Sequence, residues 1–266
     1  MELTQLTGIL RWITSLAQLW LDFLQPESRL VRRIIRICKA HGISRTQICR
    51  IFPHHDLTPS SFSSITNAKQ LITTSLIDEV SQTFNVDRKW LEGDDTYVSN
   101  DIGTYGSPIE DIQEQLNTIQ LIESDTRFRF LHLIIPVNVD LAVFEAHTTY
   151  FPIALAFRVS HERDGIDFDT YHFTEVLCWD YQKARTHLRA ILQLADERDF
   201  QLRGAYAHVK HIRAFESGKI CFAELSKFRR KPCDPWTNIV NNKSALEEKL
   251  LTDYLAVNRL NPEPIK

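Results

Sequence analysis

Glycine and methionine are scarce in this chain of 266 residues, which contains eight glycines and one methionine. The sequence has no glycine-rich phosphate loop, and it lacks the GxSxG and HExxH motifs of two large groups of hydrolases. Its five cysteines are an odd number and form no CxxC pair, which argues against a disulfide framework and favours reduced thiols. We therefore expect no enzyme activity, no cofactor and no bound metal, and we expect a cytoplasmic location.

The chain also lacks a net positive charge, but basic residues are concentrated in one segment. The formal net charge is −3, so the whole molecule is not a basic nucleic-acid-binding protein. Residues 28–55 nevertheless contain seven basic residues and no acid: Arg29, Arg32, Arg33, Arg36, Lys39, Arg45 and Arg50. Such a segment is typical of a phosphate-facing surface. A solvated helix face that lacks acids is the alternative.

Residues 1–26 contain an apolar stretch that resembles a membrane segment, but Arg11 and Asp22 interrupt it. Its apolar residues recur at helical spacing, and Pro26 ends the pattern, so we expect an amphipathic helix. This helix is expected to pack on the protein's own body. A dimerisation helix and a helix on a membrane surface are the alternatives, and we expect no membrane partner.

Residues 27–95 show helical patterns and almost no strand signal. Thr58 followed by Pro59 is a strong signal for a helix start, because proline suits the first helical position. Ser44 is expected to cap another helix over 45–52. Five short helices are predicted in all: Ser28–Gly42, Arg45–Phe52, one from Pro59, one after Thr73 or Thr74, and a last turn at 86–94.

Three stretches of this segment resemble the helix-turn-helix domain of the lambda repressor and Cro family. "HGISRTQIC" (41–49) resembles the start of the second helix, "LTPSSFSSI" (57–65) the recognition helix, and "LITTSLIDEVSQTFNVDRKWLEGD" (71–94) the two closing helices. The resemblance implies an N-terminal all-α domain that binds DNA. The turn "PHHD" plus Leu57 is about three residues longer than the family's tight turn.

The resemblance also implies which residues contact DNA. The stretch 57–65, called the recognition segment from here on, lacks the Arg, Gln and Lys residues that usually bind base edges. Its hydroxyl groups are therefore expected to discriminate only weakly between bases. Arg45 and Lys69 are expected to contact phosphates, and a two-fold dimer is needed for useful specificity. The predicted DNA-binding residues are Arg45, Gln47, Thr58, Ser60, Ser61, Ser64, Asn67 and Lys69.

Beyond residue 95 the pattern changes. Residues 96–107 are polar and rich in turn formers, so we expect a linker there. Residues 108–266 predict an α+β domain with a mostly antiparallel sheet, in which Asp164-Gly165 turns a hairpin. Strands are expected at 127–135, 151–159, 168–178, 202–208 and 219–225, and helices over 109–122, after Asp180 and after Ser244.

Two groups in this second domain could carry chemistry. His208, His211 and His172 could hold zinc, but they are interleaved with apolar residues and are better explained as surface or core histidines. Lys183, Arg185 and Arg189 at the start of a helix could hold an anion, and a solvated helix face is the alternative.

The sequence therefore predicts a dimeric, sequence-specific DNA-binding transcription regulator. Residues 108–266 would dimerise it and sense a small-molecule or protein effector. An antitoxin-like or phage-derived adaptor that uses the helical domain to bind a partner protein is the alternative, and an enzyme with a targeting domain is a third interpretation.

Overall fold

The protein is described by a computed structural model that covers residues 25–94, 97–99, 102–104, 113–114, 116–119, 126–137, 151–241 and 245–259. The chain divides into two compact units, residues 1–96 and 97–266. Helices and a mixed β-sheet both occur, so the fold is mixed α/β. The helix expected over residues 1–26 lies outside the described residues except for residues 25 and 26.

The first unit contains five α-helices and one 3-10 helix, Pro53–His55, in its described part. Pro26 at the first turn of α1 and Thr73 at the N-cap of α4 begin their helices, and the Thr73 hydroxyl accepts the backbone N–H of Leu76. Asn85, with a φ of 50°, ends α4 in the left-handed conformation. The five helices are α1 Pro26–Ala40, α2 Ile48–Ile51, α3 Ile65–Lys69, α4 Thr74–Phe84 and α5 Arg88–Glu92.

The start of α3 differs from the prediction. We expected the recognition helix to begin at Pro59, but residues 59–63 form turns and bends, and the helix begins at Ile65. Ser64 is the N-cap, because its side chain accepts the backbone N–H of Asn67 at 3.1 Å. The backbone N–H of Thr58 donates to the Ser61 hydroxyl oxygen at 2.8 Å, but the turn that these two residues close does not continue into a helix. Similarly, α2 begins at Ile48 rather than Arg45.

The described residues of the second unit form a six-stranded sheet in the order β1-β4-β3-β2-β5-β6. The pairs β2–β3, β3–β4 and β5–β6 are antiparallel, whereas β1–β4 and β2–β5 are parallel. Asp164 and Gly165, both at positive φ, turn the predicted hairpin between β3 and β4. The strands are β1 Ile102–Thr104, β2 Thr126–Pro136, β3 Pro152–Arg163, β4 Ile166–Cys178, β5 Gln201–Ala207 and β6 Pro232–Cys233.

Helices pack on the sheet in two groups. α6 packs against β4, β5 and α9, whereas α7 and α8 contact β2, β3 and β4. Leu131 and Leu133 of β2 share a core with α6. His132 between them points to the opposite face, since successive side chains of a strand alternate. The helices are α6 Gln182–Asp196, α7 Val209–Glu216, α8 Phe222–Leu225 and α9 Ala245–Arg259.

A bulge in β4 redirects its side chains. The pairing of β3 with β4 shifts between Leu155 and Phe157, and Phe173 on the partner strand has a φ of 41°. Because of the extra residue, Phe173 joins the core under α6, whereas Tyr171 packs against Phe222 of α8.

Two predictions for the second unit were wrong in detail. Residues 102–104, expected in the linker, pair with β4 as the edge strand β1. The strand expected at 219–225 is absent, because Cys221 and Glu224 form a reciprocal N-terminal cap and Phe222–Leu225 is helical. Of the helix expected over 109–122, the described residues 113–114 and 116–119 are helical. Within the described part of the chain, no helix has the length and apolar character needed to cross a membrane.

Candidate nucleic-acid interface

Part of the basic face of α1 is occupied by the protein itself. The guanidinium groups of Arg33 and Arg36 lie 4.9 and 5.3 Å from the centre of the Trp90 ring, within cation–π range. Arg33 also donates to the carbonyl oxygens of Trp90 and Asp94 at the end of α5. These two arginines therefore fasten α5 to α1, and we exclude them from the candidate interface.

The cations that remain next to α2 are Arg45 and Arg50, and both are exposed. Gln47 is half-buried, and its side-chain oxygen accepts from the backbone N–H of Ser44 at 2.9 Å and from the Ser44 hydroxyl at 2.7 Å. This oxygen therefore holds the chain at the entrance to α2. The amide nitrogen is the part of Gln47 that a base edge or phosphate can use.

The recognition segment presents hydroxyl and amide groups. Thr58 and Ser60 are exposed and hydrogen-bonded to each other at 3.0 Å, and Asn67 is exposed in the first turn of α3. Ser61 is only 4% exposed and is bonded to Thr58, which argues against the predicted DNA contact at this residue. Ser64 is exposed, but its oxygen already caps α3, which leaves its hydroxyl proton for a ligand.

Lys69, a predicted phosphate contact, is bonded to another part of the protein. Its ammonium group donates to the side-chain oxygen of Gln25, and the residue is half-buried. The prediction treated Lys69 as a solvated phosphate contact. In the structure it joins the end of α3 to the beginning of α1, because these two helices pack against each other.

The long turn before the recognition segment is held in place. The Nε2 atom of His55 lies 2.6 Å from a carboxylate oxygen of Glu79 on α4. Asp56, which follows, takes the left-handed conformation with a φ of 50°. This turn, residues 53–57, is thus anchored to α4.

Sequence reasoning missed two exposed polar residues, Thr66 and Gln70, which continue the polar surface of α3. Neither was predicted, because a helix that begins at Pro59 would place Ser60, Ser61 and Ser64 toward the groove. The signal that could have found them is Ser64, which precedes Ile65 as an alternative N-cap.

The groups considered in the second unit have internal roles. Arg185 and Arg189 lie 2.7 and 3.1 Å from the same oxygen of Glu247 on α9, so they do not form an anion site. His211 stacks on Phe228 with ring centres 3.8 Å apart, and His172 is bonded to Thr170. Among the described residues, no three His, Cys, Asp or Glu side chains are grouped to hold a metal ion.

No protein-family model matches this chain, and neither a curated protein nor a solved structure matches it.

Proposed function

We propose that the protein is a dimeric, cytoplasmic transcription regulator that binds duplex DNA through a helix-turn-helix of the lambda repressor and Cro type. The parts of the chain that contact DNA would be α2, the turn at residues 53–57 and α3. The observation that supports this most directly is an exposed, uncharged row of hydrogen-bonding side chains that follows two exposed arginines. The row consists of Thr58, Ser60, Ser64, Thr66, Asn67 and Gln70.

On this surface, charged side chains suit phosphate contacts and uncharged hydrogen-bonding side chains suit base contacts. Arg45 and Arg50 are permanent cations, and guanidinium groups bind phosphate oxygens well. Asn67 can pair with adenine through two hydrogen bonds, whereas serine and threonine hydroxyls accept several base edges. One half-site would therefore discriminate modestly. Two copies spaced about 34 Å apart would multiply the specificity, and the second unit would supply the dimer contact and the effector site.

A binding selection with the full chain tests this proposal. We would select duplexes from a randomised pool at two salt concentrations and measure the enriched sequence by gel shift. We expect a sequence with two half-sites, and binding that weakens as salt rises. Enrichment of no sequence over random duplex would contradict the proposal.

Arg45→Ala provides the residue-level test, with Lys89→Ala as the matched control. Both side chains are exposed cations of the first unit, but Lys89 lies on α5, away from the recognition segment in the sequence. Loss of one phosphate contact should reduce the slope of log affinity against log salt by about 0.9. Lys89→Ala should leave the slope unchanged, and equal slopes in all three proteins would remove Arg45 from the interface.

One observation favours the alternative, an adaptor that binds a partner protein with the same surface. The helix α3 has five residues, and its exposed residues before Lys69 carry no charge. If duplexes are not selected, co-purification from the source cells of a protein whose binding is lost in Asn67→Ala would support the adaptor.

A further inference from the structure

The second unit contains a strongly basic cavity that the proposed DNA interface does not use. Residues 97–266 hold 20 Lys and Arg against 24 Asp and Glu, so this part of the chain is acidic overall. Among the described residues, five cations nevertheless line one cavity of about 410 Å³, and no acid does. The lining residues that carry charge are Arg158, Arg203, Arg229, Arg230 and Lys231.

Three separate parts of the fold bring these five cations together. Arg158 lies on β3, and Arg203 lies on β5. β2 stands between these strands, because the sheet order is β3-β2-β5. The remaining three cations follow one another in the segment before β6, which pairs with β5. Since this convergence depends on the pairing of β5 with β2, the cavity is a product of the tertiary fold.

The arginines are held in position before any ligand arrives. Arg158 and Arg203 lie 5.0 and 5.6 Å from the centre of the Phe130 ring. Asp169 lies 2.8 Å from Arg158, and the Nε atom of Arg229 donates to the carbonyl oxygen of Ser226 at 2.6 Å. Ordered guanidinium groups lose less conformational entropy on binding an anion than mobile ones.

A buried polar atom belongs to the same cavity. His132 lines it and is 3% exposed, and its Nε2 atom has no hydrogen-bond partner among the described residues. A buried polar atom without a partner costs free energy, which a ligand that bonds to it would recover. Burial and the surrounding arginines lower the pKa of His132 to about 3. The ring is therefore neutral near pH 7, when one of its two nitrogens can donate to an anion.

The wall between β5 and β6 is fixed by Gly204. A Cβ atom at this position would lie 2.6 Å from Cys233 Sγ and 2.9 Å from the Cys233 carbonyl oxygen. The backbones can approach this closely only because glycine has no side chain. This approach places Lys231 and Pro232 beside the backbone of β5 at the mouth of the cavity.

From this geometry we infer that the cavity binds the phosphate group of a small phosphorylated molecule. Asp169 offsets one of the five cations, and the remaining charge exceeds what a single carboxylate needs. The paired N–H donors of an arginine guanidinium group match the spacing of phosphate oxygens. The volume of the cavity is in the range of small-molecule binding sites. A concave cavity with a buried histidine fits a compact ligand better than a nucleic-acid backbone, which runs along a surface.

Calorimetric titration of the full chain tests the inference with inorganic phosphate, adenosine 5′-monophosphate and adenosine. The variant combines Arg203→Gln and Lys231→Gln, whose side chains are exposed, so the fold should be preserved. Lys183→Gln, an exposed cation on α6, is the matched control. We expect both phosphate probes to bind, adenosine not to bind, the double variant to bind at least tenfold more weakly, and the control to bind unchanged.

Three results would overturn the inference. The first is that neither phosphate probe binds, and the second is that the double variant binds them as tightly as the parent chain. The third is that adenosine binds as well as its monophosphate, which would mean that the site does not recognise phosphate. Random duplex DNA serves as a further probe. If it binds and is weakened by the double variant while the small probes fail, the basic surface contacts nucleic acid instead.

Discussion

The guanidinium group of Arg33 lies 4.9 Å from the centre of the Trp90 ring, and its N–H groups reach the carbonyl end of α5. An arginine that sequence reasoning assigned to a phosphate-facing surface thus stabilises a corner of the helical unit. Because Trp90 is 5% exposed, this contact lies at the edge of the core. Charge alone therefore does not separate arginines that hold the fold from arginines that contact a ligand.

Arg33→Ala should lower the free energy of unfolding of the helical unit by about 1–2 kcal/mol, since a partly buried cation–π contact and charged hydrogen bonds are lost. Arg45→Ala, which removes the same charge from an exposed position, should change it by less than about 0.5 kcal/mol. Urea denaturation followed by circular dichroism measures both. If Arg33→Ala were as stable as the parent chain, the Trp90 contact would have no role in stability.

Ser64→Ala should destabilise α3 by about 1 kcal/mol, because the N-cap hydroxyl that accepts the Asn67 N–H is lost. Ser63→Ala is the matched control, since Ser63 is also exposed but does not cap the helix. Hydrogen exchange of the backbone amides at residues 67–70 gives a local measurement. Faster exchange in both variants, or in neither, would argue against Ser64 as the residue that starts α3.

The strands of the second unit were largely predictable because their signals are local. Alternating or continuous apolar runs and Asp164-Gly165 identified β2, β3 and β4 and their hairpin. The start of α3 was not predictable in this way, since Thr58 and Ser64 are both good caps. In the structure Ser64 caps α3, whereas residues 59–63 form turns and bends.

The basic cavity was not predictable from the sequence at all. Arg158, Arg203 and Arg229 are far apart along the chain, and no spacing connects them. They meet because β2 lies between β3 and β5, an order that local patterns do not determine. Similarly, the pattern placed Arg185 and Arg189 on one helix but did not show that Glu247 neutralises them.

Glu247→Gln should lower the free energy of unfolding of the second unit by about 3–5 kcal/mol. Its carboxylate lies between Arg185 and Arg189, and all three side chains are buried, so the change leaves two cations without their counter-charge. Glu248→Gln, at the exposed neighbouring position, should cost at most about 1 kcal/mol. Thermal unfolding of the two variants measures the difference. Equal melting temperatures would show that the buried carboxylate does not join α6 to α9.

Acid should destabilise the second unit through its buried histidines. Burial lowers the pKa of His132 to about 3 and of His172 to about 4, with positive neighbours adding to the effect. Between the unfolded pKa near 6.5 and these values, the unfolded chain binds protons that the folded chain does not. The stabilisation from each neutral histidine is thus complete above pH 6.5 and is lost as pH falls, by up to about 1.4 kcal/mol per pH unit.

His132→Asn should therefore reduce the loss of stability between pH 7 and pH 5 by about 1–2 kcal/mol. Part of the loss should remain, because His172 titrates in the same direction. Urea denaturation at pH 5, 6, 7 and 8 measures the slope, and comparison of the slopes separates this effect from any constant cost of the substitution. A variant whose stability falls with pH as steeply as that of the parent chain would show that His132 accepts a proton in the folded protein. The assignment of His132 as a buried, neutral side chain of the cavity would then be incorrect.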